Sequence, residues 1–408
     1  MKAREFDLIL WGASGFTGRL VAEHLLRRTR DGLPLRWAVA GRNAGKLAAI
    51  LDELGAGPVP IVLGDSHDPR SLAELARRTR AVCSTVGPYA LYGSELVAAC
   101  ADQGTHYCDL TGEVHWMRRM IDAHEERARE TGARLVHACG FDSIPSDLGC
   151  YFLQHEAEAR YGQPCSSVKL FVTRMKGQFS GGTVASILNA LEAARRDPAD
   201  RKAMGHPYGL NPAAERKGPD GRDQSTPQKD ADADCWTAPF VMASVNTRIV
   251  RRTHALLGWP WGRRFRYTEA VSTGPGLPGL ARATAITAAL GGFMAAASVG
   301  PSRAVMNRLL LPQPGEGPDE KAREAGSFEL RLVGRHPTAP GRRLVGKVKG
   351  RRDPGYGATA RMLGEAAICL ALEDLPVGGG CWTPATAFGD LMIERLQAHA
   401  DIRFSLED

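Results

Sequence analysis

The chain has 408 residues, of which 43% are hydrophobic, enough to fill the cores of two or three domains and too apolar for a disordered tail. Its 52 Lys and Arg outnumber 45 Asp and Glu for a net charge of +7, but the basic residues come as scattered pairs such as Arg77-Arg78 and Arg351-Arg352, so no nucleic-acid partner is expected. Nine cysteines without a Cys-x-x-Cys pair and eleven histidines without metal-ligand spacing argue against a disulfide framework and lead us to expect no metal site.

In chain order, the opening MKAREFDLILWG holds an apolar run only a strand in length that leads straight into glycines, so a signal peptide is not expected and the cytoplasm is the expected setting. Strands are predicted near 7–11, 36–40, 60–64, 81–86, 105–108 and 134–138, with helices between them near 15–30, 44–54, 70–79, 93–103 and 114–131. This cadence predicts an α/β fold whose N-terminal domain, residues 1–146, is a doubly wound (Rossmann) parallel sheet in the strand order 3-2-1-4-5-6.

Beyond Pro145 the cadence changes. A helix near 147–160, a strand at 166–175, a helical run at 183–195 and strands at 265–272, 327–333 and 343–349 predict a second, α+β domain over 147–358, for substrate binding and dimerisation. Residues 197–234 are polar, rich in Pro and Gly and without period, which predicts a flexible surface loop or lid. Residues 283–302 carry no charge; their length matches a bilayer, but Ala, Gly, Ser and Thr bring little transfer energy and Gly291-Gly292 interrupts the run. Two readings stay open for this stretch. Either it is a pair of small-residue helices in the core or at a homodimer interface, or it is a lipid-facing wall with room for an acyl chain or a peripheral membrane contact through 283–311 at the inner face of the cell membrane. Amphipathic helices at 359–374 and 384–397 occupy the C-terminal segment, 359–408.

Within the first domain, Gly12-Ala13-Ser14-Gly15-Phe16-Thr17-Gly18 follows an apolar strand and opens a helix, the context that gives a glycine motif meaning. Gly12 permits the tight turn, Gly15 lets backbone approach a pyrophosphate, Gly18 lets the helix pack on the sheet, and the helix N-terminus favours phosphate. The end of the second strand, where an NAD site places an acid on the ribose, reads Gly41-Arg42-Asn43 with Lys46 one turn later. The absent carboxylate and the Arg42 fork predict NADP as the cofactor. Asp65, ending the third strand, either accepts from the adenine amino group or caps the next helix.

The segments LWGASGFTGRLVAEHL, WAVAGRNAGKL, CSTVGPYALYGSELVAACADQGTHYCDLTGE and ACGFDSIPSDLG together resemble the saccharopine dehydrogenase-like oxidoreductases. With DPGYGATARMLGEAAICLALE and GGCWTPATAFGDLMIERL, the chain is similar in particular to the branch of actinobacterial trans-acting enoyl reductases of lipid and polyketide assembly. The resemblance implies an NADPH-dependent oxidoreductase with a Rossmann domain, a second α+β domain and a C-terminal segment packing back toward the first. It also implies reduction of an enoyl thioester of lipid or polyketide type, carried in one reading on a carrier protein. Two alternatives stand beside it: a saccharopine-type reductive C–N dehydrogenase, and a non-catalytic NADP-binding protein associated with lipid or membrane.

In a doubly wound sheet the ligand lies outside the carboxyl ends of the strands. After the fourth strand Gly87 permits approach to the nicotinamide ribose, Pro88 stiffens the turn, and Tyr89 is a candidate proton donor. Tyr356, flanked by glycines in Asp353-Pro354-Gly355-Tyr356-Gly357, is a second candidate, with an ordinary turn tyrosine as the alternative. Asp142, in the loop after the sixth strand, either acts on substrate or caps the following helix.

Overall fold

Strand β1 (Phe6–Trp11) is buried along its whole length, as a strand must be when helices cover both faces of a parallel sheet. In the computed structural model, which describes residues 4–177, 181–298, 317–339 and 341–407, it begins a regular alternation. There follow α1 (Phe16–Arg30), β2 (Trp37–Gly41), α2 (Ala44–Glu53), β3 (Ile61–Leu63), α3 (Pro69–Arg78) and β4 (Thr79–Ser84). Then come α4 (Tyr89–Tyr92), α5 (Ser94–Gln103), β5 (His106–Asp109), α6 (Val114–Thr131) and β6 (Arg134–Val136). All pairings in this sheet are parallel, in the expected order 3-2-1-4-5-6.

The second part of the chain opens with α7 (Ile144–Tyr161), β7 (Ser167–Lys176), α8 (Gly181–Arg196), α9 (Pro198–Gly205), β8 (Gln228–Asp230) and β9 (Cys235–Ala238). It continues with α10 (Ala243–Leu256), β10 (Arg266–Gly274), α11 (Gly276–Ser298), α12 (Glu320–Glu324), β11 (Ser327–Arg335) and β12 (Arg343–Arg351). The C-terminal segment supplies α13 (Thr359–Leu372), β13 (Gly380–Trp382), α14 (Pro384–His399) and β14 (Ile402–Leu406). β13 adds a seventh strand to the first sheet beside β6, while β14 closes one edge of the second sheet, ordered β14-β12-β11-β7-β10-β9-β8. α13 lies over β4 and β5 beside α1.

Two expectations fail for physical reasons. Residues 197–234, expected as a flexible loop, contain α9 and β8 and are held by three buried arginines of α10. Arg251 donates to Asp220 at 2.8 Å, Arg252 to the Leu210 carbonyl at 2.6 Å, and Arg248 pairs with Asp223. An arginine-rich helix is not a solvated face when each guanidinium has carbonyls and carboxylates to donate to. The interruption expected at Gly291-Gly292 is also absent: α11 runs through both, because each glycine costs only about 1 kcal/mol against the surrounding alanine-rich turns. Ala283, Thr287, Leu290, Met294 and Ala297 form its inward stripe, and most of its other side chains, Leu277 and Ile286 among them, are exposed. By length and composition alone, Gly276–Ala297 is long and apolar enough to span a membrane. The remainder of the stretch 283–311 lies outside the described residues.

Candidate active site and cofactor cleft

The turn after β1 has the shape of a phosphate cradle. Gly12 stands at φ +94°, where an L side chain is strained, and a Cβ there would come 2.8 Å from Thr85 Oγ1. A Cβ on Gly18 would collide with the Gly12 carbonyl oxygen, so α1 packs this close because that position is glycine. At Gly15 a Cβ would meet the Gly12 carbonyl at 3.5 Å, an ordinary contact that leaves open the space a pyrophosphate needs. Gly15 is the N-cap of α1 and offers no side-chain acceptor, so the first-turn N–H groups, that of Thr17 included, are left for an anion. Ser14 is exposed beside them. The Phe16 ring, expected at the cofactor, instead packs edge-on against Tyr356 with centroids 4.8 Å apart, so any contribution of Phe16 to phosphate binding falls to its backbone.

At the end of β2, Arg42 is exposed and makes no ion pair among the described residues. Asn43 caps α2, accepting from the Lys46 N–H at 2.9 Å, so its side chain already has a structural task. Asp65 accepts from the His67 N–H at 2.9 Å through one oxygen, in the turn after β3. The turn Gly41-Arg42-Asn43 carries no acid to receive a ribose 2′-OH, and the residues present fit the 2′-phosphate of NADP.

Outside the carboxyl ends of β4, β5 and β6 a cavity of about 370 Å³ separates the first sheet from the second part of the chain. Thr17, Thr85, Gly87, Leu110, Gly112 and Asp142 form the wall nearest the glycine turn. Ile187 and Leu191 of α8, Leu290 of α11, and Phe240, Met242 and Val245 supply much of the opposite, apolar wall. Neither Lys, Arg nor His lines the cavity among the described residues. Of the two carboxylates that do, Asp223 is paired with Arg248 and accepts from Thr247 Oγ1 at 3.0 Å. Asp142 is half-buried and takes no hydrogen bond among the described residues, and burial pushes its carboxyl up to about 7.

Neither tyrosine meets the expectation of a free proton donor. Tyr89 touches the cavity with its ring, but its buried hydroxyl donates to the Ser84 carbonyl at 3.0 Å and accepts from the Leu110 N–H at 3.4 Å. Burial, then the nearby Asp109, raises its phenol well above the ordinary range. The Tyr356 hydroxyl accepts from the Gly181 N–H at 3.0 Å, so it braces α8 against the glycine turn rather than facing the cavity. Pro88 serves as N-cap of α4 in the same loop as Gly87.

The partners that hold this loop are not legible in the sequence. Glu113 accepts from the Tyr89 N–H at 2.8 Å, the Ala90 N–H at 2.9 Å and Ser186 Oγ at 2.9 Å, so one carboxylate ties the loop after β4 to α8. Asp223 is not signalled either, because no local spacing connects it to the first sheet, whereas Leu290 falls within 283–302, the stretch whose small residues leave room for an acyl chain.

Residues 8–136 match the saccharopine dehydrogenase NADP-binding domain family. A Mycobacterium tuberculosis protein named for trans-acting enoyl reduction is 41% identical over 412 aligned residues, covering 97% of this chain and 96% of that protein. The trans-acting enoyl reductase of Mycobacterium ulcerans is 38% identical, with 96% of each chain covered. Among solved structures, the apo saccharopine dehydrogenase (L-Glu forming) of Saccharomyces cerevisiae matches with a TM-score of 0.53 at 12% identity, over 98% of this chain and 99% of that one, a likeness of fold. The chain therefore belongs to the saccharopine dehydrogenase-like, NADP-dependent oxidoreductases, on the branch of the trans-acting enoyl reductases.

Proposed function

We propose that this protein reduces the carbon–carbon double bond of an α,β-unsaturated acyl thioester of lipid or polyketide type, presented on a separate carrier protein. The observation that carries the reading is the cavity, which joins the glycine turn to a wall of aliphatic and aromatic side chains and holds one carboxyl, Asp142, without a partner among the described residues. NADPH, when bound, supplies the hydride, which goes to the β-carbon; a proton to the α-carbon completes the saturated thioester and leaves NADP⁺. Asp142, titrating near 7, holds that proton or donates a hydrogen bond to the thioester oxygen. The apolar wall receives the acyl chain and keeps water from the reacting carbons. The backbone at Gly87, free of a side chain, leaves the room that a nicotinamide ribose needs. An amino dicarboxylate fits poorly, since the described walls hold no cation to pair with it.

The test is NADPH oxidation by the purified chain with a crotonyl thioester, against a keto acid plus an amine. Turnover of the thioester with formation of butyryl product supports the reading. Turnover of the keto acid and amine instead, or NADPH binding with neither substrate consumed, overturns it.

A further inference from the structure

The positive charge that looks scattered along the chain converges in the fold. β7, β11, β12 and β14 send alternate side chains into the core, among them Leu330, Leu332, Val348 and Phe404, and the others outward. The register sets the outward ones in rows. Across four adjacent strands one row reads Arg403, Lys349, Glu329 and Arg174, and the next sets Arg351 and Lys176 on either side of Ser327. Beyond the first row, Lys347 stands directly opposite Arg331. Neighbouring strands lie about 4.8 Å apart, so the like-charged pairs Arg403 with Lys349 and Lys347 with Arg331 work against the sheet.

Two carboxylates offset part of this charge. Glu329 pairs with Lys349 at 3.0 Å, and Glu407 takes Arg331 at 3.0 Å and Lys347 at 2.8 Å. Arg174, Lys176, Arg351 and Arg403 are exposed and have no ion pair among the described residues. At the opposite end of the same strands, Asp230 and Asp232 neutralise Lys169, Arg335 and Arg343. The uncompensated end is the one beside the cavity: β7 ends at Lys176, and Gly182, a few residues on, lines the cavity wall.

We propose that this outward face of the second sheet docks an acidic protein, the carrier that presents the acyl thioester, an inference that rests on the reading of the cavity as an enoyl thioester reductase site. Like-charged neighbours kept at the end nearest the cavity and neutralised at the far end are what a surface that receives negative charge requires. Glu329 and Glu407 lie within the face, so a uniformly negative polymer or bilayer meets two repulsive points, whereas a protein can set its own cations opposite them.

The probe is a fluorescently labelled acidic acyl carrier protein, followed by anisotropy against the full chain with NADPH bound, at low and at moderate salt. Binding should weaken with salt, fall about tenfold or more in the double variant Lys349→Glu, Arg403→Glu, and return in Lys349→Arg, Arg403→Lys. In turnover, the charge-reversed variant should raise KM for a carrier-linked crotonyl thioester by a similar factor and leave KM for the same thioester on a small thiol unchanged. Retained NADPH binding and melting temperature show that the variant is folded. Equal carrier binding by wild type and variant overturns the proposal, as does tight binding of duplex DNA or anionic phosphatidylglycerol vesicles where the carrier protein binds weakly. If neither thioester is reduced but carrier binding still depends on the two cations, the reductase reading fails and the docking face stands.

Discussion

His24 on α1 and Glu365 on α13 meet at 2.8 Å although 341 residues separate them. His24 donates from Nε2 to the carboxylate and accepts from Arg27 at Nδ1 at 3.0 Å, which identifies a neutral ring, and burial lowers its pKa in agreement. Arg28 and Arg395 reach the same carboxylate, each at 2.9 Å. This buried cluster fastens the C-terminal segment to the glycine-motif helix.

Glu365→Gln should be strongly destabilising, since it removes the negative charge shared by two nearly buried guanidiniums and turns an amide NH2 toward one of them. Loss of one partner of a buried pair costs about 3–5 kcal/mol. Chemical denaturation of wild type and variant measures it, and a loss below 1 kcal/mol would mean that solvent reaches the cluster.

Cofactor choice should hinge on Arg42. Arg42→Glu removes a phosphate partner and adds repulsion, and a charge-assisted contact of this kind is worth tenfold or more, so preference for NADPH over NADH should fall by roughly 30-fold or beyond. Titration with both nucleotides decides it; a wild-type chain that binds NADH as tightly as NADPH would overturn the assignment.

Asp142 and Tyr89 make opposite forecasts. Asp142→Asn should lower kcat about 100-fold with NADPH affinity little changed. In the wild type kcat/KM should decline as pH rises through about 7, because the proton-holding form of Asp142 in the free protein is then lost. Tyr89→Phe, which deletes the bond to the Ser84 carbonyl, should instead cost about 1–2 kcal/mol of stability and leave kcat within a few-fold. A kcat insensitive to Asp142→Asn and collapsed by Tyr89→Phe would reverse the assignment.

Chain-length selection should reside in the apolar wall. Leu290→Trp fills the cavity from α11, so KM should rise for long enoyl thioesters and change little for crotonyl thioester. Equal effects on both would place the acyl chain elsewhere.

Stability should carry a signature of Glu269, which is buried with Tyr267 Oη donating to it at 2.8 Å and Asn246 Nδ2 at 3.0 Å. Burial raises its carboxyl to about 7 from an ordinary 4.5. Between those values the folded chain holds a proton that the unfolded chain has released, so this contribution is full below 4.5 and lost as pH rises to 7. Wild type should therefore lose melting temperature relative to Glu269→Gln across that range. A pH-independent difference would show that Glu269 is already ionised at the low end.

The residues that act over short range are legible in the sequence. Gly12, Gly15 and Gly18 announce the turn by spacing alone, because the demand they meet is local: a positive φ, an open approach and a close helix. The strand order of the first sheet follows from apolar runs that alternate with amphipathic helices. Asp142 is visible as a loop acid after β6, but its elevated pKa is not, since that comes from burial beneath residues remote in the chain.

What only the tertiary structure decided are the relationships between distant segments. Nothing near residue 380 signals a seventh parallel strand beside β6, nor does the run of arginines in α10 show that each will find acceptors in 197–234. The Tyr89 hydroxyl looked available from its loop and is committed to a strand carbonyl. Arg174, Lys349, Arg351 and Arg403 read as dispersed charges along the chain, and strand register alone, an alternation of side-chain direction repeated across four paired strands, sets them on one face.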